Sequence, residues 1–179
     1  MSRKMDGEVL ENFTIPHKRV QRDPTKKNTR KMIVFVSVIL KEIFEQGREY
    51  VWERPATCVK CNHHKVWSHG FVQRLFDGFD TFLLLKSYRC PNCGCVITLR
   101  PDSHFTRIQT SKKAIRSRLS CRLQTGRWPP DTRFPRQRHW LKNLRRRIKA
   151  LLTEVWSHGE IAAFDYFISI AQTPVSSSI

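Results

Sequence analysis

The chain has 179 residues, enough for one modest hydrophobic core or for two very small ones that a metal ion stabilises. Its 33 lysines and arginines outnumber 15 acidic residues, and the net charge of +18 predicts a polyanionic partner. No apolar run approaches the roughly 20 residues that span a bilayer, and the N-terminus lacks a signal-peptide pattern. These features predict a cytoplasmic protein with no membrane partner, in which six cysteines favour a metal over disulfides.

The first 50 residues divide into a basic and an apolar part. Residues 1–30 combine prolines and basic residues with few large apolar side chains, which predicts a flexible basic arm. Residues 31–50 predict an apolar helix, because the side chains from Val36 to Phe44 fit one wide helical face and Gly47 is a natural stop. The β-branched residues at the start of this segment would equally suit a strand.

Two CxxC pairs are the clearest chemical signal in the sequence. A tight turn points both sulfurs of a CxxC pair the same way, so two pairs can surround one ion. Four thiolates form a closed tetrahedral shell with no position for water or substrate, so the predicted role is structural. The sequence therefore predicts one structural Zn²⁺ bound by Cys58, Cys61, Cys90 and Cys93.

Residues 51–105 predict a small zinc ribbon of short antiparallel strands around these cysteines. Val66 to Phe76 alternates apolar and polar residues, Asp77-Gly78 is a hairpin-turn signal, and Phe82 to Tyr88 fits the returning strand. Val96 to Leu99 is predicted as a last short strand. The metal would supply much of the folding free energy, since the hairpin is a poor core by itself.

The ribbon resembles the zinc-ribbon module of insertion-sequence transposases and related mobile-element proteins. The resemblance lies in Cys58-x-x-Cys61, Val66-Trp-Ser-His-Gly70, an aromatic and basic hairpin, Arg89-Cys-Pro-Asn-Cys-Gly94 and Leu99-x-Pro101, and it covers roughly residues 56–105. In that family the ribbon precedes a helix-turn-helix region and helps to bind the terminal DNA of the element. The resemblance therefore implies a DNA-binding protein of mobile-element type.

Residues 106–172 predict a basic helical region that resembles a helix-turn-helix. Ser111 is a plausible N-cap for a first helix that ends before Gly126, and the Trp128-Pro-Pro segment enforces a break. The remaining predictions are a second helix from Pro135 to about His158 closed by Gly159, a short helix over Ile161–Ile170 and a frayed tail over 173–179. The predicted fold class is α+β, a four-cysteine ribbon flanked by an N-terminal helix and the basic helices.

Most of the net charge lies in this helical region. Fifteen basic residues and a single acid, Asp131, lie between Arg107 and Lys149. Such a footprint favours double-stranded DNA, whose guanine edges arginine can bind from the major groove. The predicted contacts are Lys112, Lys113, Arg116, Arg118, Arg122, Arg127, Arg136, Arg138, Lys142, Arg145, Arg146 and Lys149.

Three other interpretations compete with duplex binding. The same charges would bind RNA, with Trp67, Trp128, His139 and Trp140 stacking on unpaired bases. The chain would instead be an interaction module or a homo-oligomer if its apolar segments formed an interface. The basic face could also simply be solvated and bind nothing specific.

The sequence offers no complete catalytic constellation. The acids are scattered, no length remains for a two-metal nuclease domain, and neither a P-loop nor a Gly-x-Ser-x-Gly elbow occurs. Cys95 and Cys121 lie outside the CxxC pairs, and nothing beside them identifies a base. A binding protein rather than an enzyme is therefore expected.

Overall fold

A four-stranded mixed sheet forms the first half of the described chain. The computed structural model describes residues 31–130, 134–153 and 156–176, so the predicted basic arm and Asp131 lie outside the described residues. The strands follow the order β1-β4-β3-β2, with β1 parallel to β4 and the other neighbours antiparallel. They are β1 (Lys31–Val36), β2 (Trp67–Arg74), β3 (Leu83–Arg89) and β4 (Val96–Pro101).

The central hairpin confirms the strand prediction from the alternating pattern. β2 pairs with β3 from Trp67 opposite Arg89 to Arg74 opposite Leu83, and its register shifts between Ser68 and Phe71. Gly70 lies inside this irregularity with a φ of 90°, a conformation that a glycine adopts without steric cost. The bulge therefore depends on the absence of a side chain at position 70.

The N-terminal apolar segment is a strand followed by a short helix, so the prediction of one helix over 31–50 was wrong in its first half. β1 pairs along its whole length with β4, which gives its β-branched residues a sheet to pack on. Helix α1 (Leu40–Gln46) begins only after this strand, and Gly47 ends it as predicted, with a φ of 57° and its N–H bonded to the Ile43 carbonyl. The parallel pairing makes the sheet mixed rather than purely antiparallel.

The first hydrophobic core lies between α1 and the sheet. Its largest fully buried side chains come from α1, the hairpin and β4 and include Ile43, Phe76, Leu85, Ile97 and Leu99. The core also contains the buried cysteines 58, 90 and 95. Side chains from both predicted segments, 31–50 and 51–105, thus share one core.

Three helices pack together in the second half. They are α2 (Lys112–Thr125), α3 (Phe134–Leu151) and α4 (Gly159–Ser169). The left-handed Gly126 ends α2 as predicted. The second helix ends at Leu151, seven residues before the predicted His158, because Thr153 has a φ of 59°. Gly159 therefore opens α4 and does not close α3.

The second core joins the faces of these helices that are turned toward one another. Trp140, Leu144, Phe164 and Phe167 are fully buried in it. The prediction of a frayed tail from residue 173 was wrong for its first part, because Val175 is buried in the same core. None of the helices in the described ranges is long and apolar enough to cross a membrane.

Replacement of Ser111 by alanine is expected to destabilise the helical half modestly. The Ser111 hydroxyl accepts a hydrogen bond at 3.2 Å from the Ala114 N–H at the start of α2, which confirms the predicted N-cap. Loss of such a cap typically costs about 1 kcal/mol. Chemical denaturation of Ser111→Ala should show this loss, and Ser111→Asp should retain most of the wild-type stability because its carboxylate can also accept the bond. Equal losses in both variants would contradict the capping role.

Candidate metal centre and basic helix

Each CxxC pair lies in a turn with the same hydrogen-bond pattern. In the first turn the Asn62 N–H donates to the Cys58 carbonyl at 2.8 Å, and the Cys58 N–H donates to the His63 carbonyl at 2.9 Å. In the second turn, Gly94 donates to the Cys90 carbonyl at 3.0 Å. The Cys90 N–H donates to the Cys95 carbonyl at 2.9 Å.

The residue after the second cysteine of each pair has a positive φ. The angle is 56° at Asn62 and 68° at Gly94. Asparagine and glycine are the residues that adopt this left-handed conformation most readily. The local sequence therefore folds each pair into the same reverse turn and turns both of its sulfurs to one side.

The two turns bring four sulfur atoms together. The Sγ atoms of Cys58, Cys61, Cys90 and Cys93 all lie within 4.8 Å of one another. The Sγ atoms of Cys58 and Cys93 are 3.7 Å apart, and those of Cys61 and Cys90 are 3.5 Å apart. These distances exceed the roughly 2.05 Å of a disulfide. They approach the edge of about 3.8 Å that a tetrahedron with metal–sulfur bonds of about 2.3 Å requires.

The thiols of Cys61 and Cys93 have pKa values shifted in opposite directions, as expected for groups that share one small volume. A backbone hydrogen bond from His63 contributes most to lowering the pKa of Cys61, to about 6. The Cys95 N–H acts to lower the pKa of Cys93, but burial and the three neighbouring thiols outweigh it and raise that pKa to about 12. Without a cation the four groups resist simultaneous ionisation, whereas a bound metal ion stabilises all four thiolates.

The other two cysteines do not belong to the cluster. Cys95 is buried beside it in the first core, and burial raises the pKa of its thiol. The Cys121 sulfur lies on α2, 3.8 Å from the Thr125 hydroxyl oxygen and 3.8 Å from the Arg127 carbonyl. Of the six cysteines, the four predicted as ligands are the ones that could hold one metal ion.

Three of the twelve predicted nucleic-acid contacts are arginines that bind carboxylates of this chain. Arg116 donates two hydrogen bonds of 2.7 Å to Asp165, and Arg145 donates to Glu160 at 3.1 Å. Arg136 lies 3.2 Å from an Asp77 oxygen. Sequence reasoning missed these acids as partners, since the residues of the first pair are 49 positions apart and no local pattern links them.

Other predicted contacts pack on neighbouring side chains. The Lys112 ammonium lies 5.8 Å from the centre of the Phe35 ring and 5.2 Å from that of Phe105, and Arg122 lies 5.7 Å from the Trp128 ring. Arg118 is half-buried, whereas Lys113 and Arg127 are exposed. The twelve residues therefore do not form one uniform surface.

A subset of the predicted contacts follows one face of α3. Positions separated by three or four residues share a helix face, and the buried Trp140 and Leu144 define the opposite side. We call this exposed set, Arg138, Lys142, Arg145, Arg146 and Lys149, the basic stripe. Arg138, Lys142 and Lys149 have no ion-pair partner among the residues that the structure describes.

The aromatic residues proposed for base stacking are in different environments. Trp140 is 1% exposed and belongs to the second core, so it is not available to a base. Trp128 is half-buried against Arg122, and the His139 ring nitrogen lies 2.8 Å from the Asn143 amide nitrogen. Trp67 is 61% exposed on the edge strand β2 and is accessible to a partner.

His104 is expected to make stability fall in mild acid. Burial, and next the Arg100 guanidinium, lower its pKa from 6.5 to about 4. In the unfolded chain His104 binds a proton below about pH 6.5, whereas in the folded protein it stays neutral down to about pH 4. The stability therefore falls as the pH falls through this range. The full loss is roughly 3 kcal/mol.

Chemical denaturation of the wild type and of His104→Gln between pH 7 and pH 4.5 checks this prediction. The wild type should lose more stability across that interval than the variant. Any acid release of a metal ion affects both proteins alike, so the difference between them isolates the histidine. Identical pH profiles would contradict the prediction.

Comparisons with known protein families, curated proteins and solved structures find no match for this chain. The class of protein is therefore defined by its own geometry. It is an α+β protein in which a mixed four-stranded sheet carries a four-cysteine cluster that could hold one metal ion, followed by three packed helices.

Proposed function

We propose that the four-cysteine cluster binds one structural Zn²⁺ and completes a zinc ribbon. Support comes from the all-sulfur donor set, the spacing of the sulfur atoms and the two matching turns. The ion would cross-link the loop before β2 to the turn between β3 and β4. It would thereby fix the hairpin and the sheet.

We propose that the helical half binds double-stranded DNA through the basic stripe. The observation that carries this proposal is the regular spacing of exposed cations along a single face of α3. From Arg138 to Lys149 the stripe is about 16 Å long at about 1.5 Å per residue. A helix of this kind fits the major groove, which is about 12 Å wide, and its cations can reach phosphates on both sides.

The proposed role is that of an accessory or regulatory protein of mobile-element type. The resemblance of the ribbon to transposase modules supports this, as does a compact group of three helices after the ribbon. The connection from Gly126 to the start of α3 is longer than the usual turn of three or four residues. The proposed fit to DNA therefore rests on the stripe and not on the turn.

We propose a binding role rather than a catalytic one, in a cytoplasmic setting where thiols stay reduced. A shell of four thiolates leaves no open position at which a metal ion could activate water. Three carboxylates are held in ion pairs with arginines, which makes them poor candidates for a general base: Asp77, Glu160 and Asp165. These carboxylates serve to position cations.

Binding to labelled duplex DNA at increasing salt tests the proposal. The log of the affinity should fall linearly with the log of the salt concentration, because each phosphate contact releases counterions. Stronger binding to single-stranded RNA, lost on Trp67→Ala, would instead favour the RNA-binding alternative, for which the exposed Trp67 is the supporting observation. Absence of any binding at low salt would overturn both and leave an interaction module or homo-oligomer.

A further inference from the structure

A cavity of about 520 Å³ lies on one face of the sheet, away from the basic stripe in sequence. Residues of all four strands line it, together with the segment 106–109. Four cationic side chains and no carboxylate are among its lining residues, which are all within the described ranges. The cations are Lys31, Arg74, Arg100 and Arg107.

Arg100 is a buried cation at this cavity. It is only 7% exposed, and its Nη2 donates to the Phe105 and Ile108 carbonyls at 3.0 and 3.1 Å. Its Nε is buried and has no hydrogen-bond partner among the residues that the structure describes. Burial, and next the positive charge of Arg74, lower the pKa of Arg100, so Arg74 adds repulsion instead of compensating the buried charge. A buried cation without an anion is costly, and an anionic ligand would remove that cost.

Arg107 adds an exposed cation from the covering segment. Its φ of 66° places a non-glycine residue in the left-handed region, which is sparsely populated for residues with a side chain. Such a backbone is retained where the surrounding structure holds it, often at ligand clamps. The conformation orients the segment whose Phe105 and Ile108 carbonyls Arg100 binds, so the two arginines belong to one local arrangement.

The rest of the wall is mainly apolar, with a few hydroxyl and amide groups. Ile33, Leu75 and Leu85 contribute the apolar surface, and Thr98 lies between them on β4. Apolar walls lower the local dielectric constant and strengthen attraction between the cations and a bound anion. They also offer contact to a nonpolar group attached to that anion.

We propose that this cavity binds a phosphate group, contacted by Arg100 at its base and by Arg74, Arg107 and Lys31 at its rim. Arginine presents several donors in a fixed plane that match phosphate oxygens, and two or more of them around one cavity suit a dianion. The group could belong to a free nucleotide or to a nucleic-acid strand, since both present the same oxygens. This site does not depend on duplex binding by α3.

Titration of the full chain with inorganic phosphate and with a nucleoside monophosphate, followed by two-dimensional NMR, tests the site. Saturable shifts are expected at the amides of residues 98–100 and 106–109. Arg107→Gln and Arg74→Gln should each weaken binding roughly tenfold, the usual effect of losing one charge-assisted hydrogen bond. Arg89→Gln is the matched control, because Arg89 is an exposed arginine of the same sheet that does not line the cavity.

Arg100→Gln should also abolish binding, but it changes a buried residue and could unfold the protein. Arg74→Gln and Arg107→Gln change exposed residues and keep the test valid in that case. Tighter binding of the nucleoside monophosphate than of inorganic phosphate would support the site and identify a free nucleotide as the ligand. Binding only of a 5′-phosphorylated oligonucleotide would support it with a strand as the source of the phosphate. Absence of binding to all three probes would overturn the inference, as would equal weakening by Arg89→Gln. Duplex binding that is lost on changing the basic stripe, with phosphate binding intact, would separate the two sites.

Discussion

Removal of the proposed Zn²⁺ is expected to unfold the sheet half of the protein. Structural zinc contributes about 10–16 kcal/mol in small zinc domains, which exceeds or matches the roughly 5–15 kcal/mol stability of a whole domain. Cys90→Ser removes a proposed ligand that is fully buried and whose sulfur lies 3.5 Å from that of Cys61. The purified wild type should contain about one zinc ion per chain by elemental analysis. The variant and the chelated wild type should both lose amide protection in β2, β3 and β4.

Cys121→Ser provides the matched control. The Cys121 sulfur is half-buried on α2 and contacts the Thr125 hydroxyl and the Arg127 carbonyl, outside the cluster. A serine hydroxyl can form the same kinds of contact, so metal content and amide protection should match the wild type. If Cys90→Ser retains protected β3 amides without bound metal, the first core alone holds the sheet and the structural role of the metal is wrong.

The features that sequence predicted correctly are encoded over a few residues. Ser111 as an N-cap and Gly126 as a stop follow from single backbone positions at the ends of α2. The placing of the two sulfurs within each CxxC pair on one side follows from a local turn, which has a residue suited to the left-handed region after its second cysteine. Such local signals can be interpreted correctly without knowledge of the rest of the fold.

The features that sequence missed depend on distant segments. The start of the chain's apolar segment becomes a strand because β4, more than sixty residues later, offers a parallel partner. The ion pairs were missed for the same reason. Asp165 and Asp77 are far from Arg116 and Arg136 in sequence and meet them only in the folded protein. Gly159 was predicted to end the second helix of the basic region. In the structure it is the first residue of α4, after the break at Thr153.

The burial of Arg100 is a feature that neither local sequence signals nor the pairing of distant segments reveals. In sequence, Arg100 before Pro101 looks like the polar end of a strand. In the structure the side chain turns inward, with its guanidinium carbon 5.5 Å from the centre of the Phe76 ring. Only burial and hydrogen-bond partners distinguish such a residue from a solvated arginine. A count of charges along the sequence therefore overestimates the number of unpaired cations on the helices. It also misses the cations that line the cavity on the sheet.

Replacing Arg138, Lys142 and Lys149 together by alanine is expected to reduce duplex affinity by roughly a thousandfold at 50 mM salt, since each phosphate contact contributes about tenfold there. These three members of the basic stripe have neither an ion-pair partner in the described part of the chain nor a hydrogen bond like the one that Arg146 donates to the Asn143 amide oxygen. The slope of log affinity against log salt should become shallower by about 2.7, at about 0.9 for each contact. Fluorescence anisotropy with a labelled duplex measures both quantities.

Arg116→Ala is the matched control for the same measurement. Its guanidinium already donates two hydrogen bonds to Asp165, so its charge is largely compensated and its loss should change duplex affinity little. Thermal unfolding of the triple variant should stay close to that of the wild type, because the three side chains are exposed on α3. A loss of about tenfold in Arg116→Ala, the share of one charge in the thousandfold loss of the triple variant, would mean that DNA responds to net charge alone. The stripe would then have no specific role, and α3 would not be the element that meets the duplex.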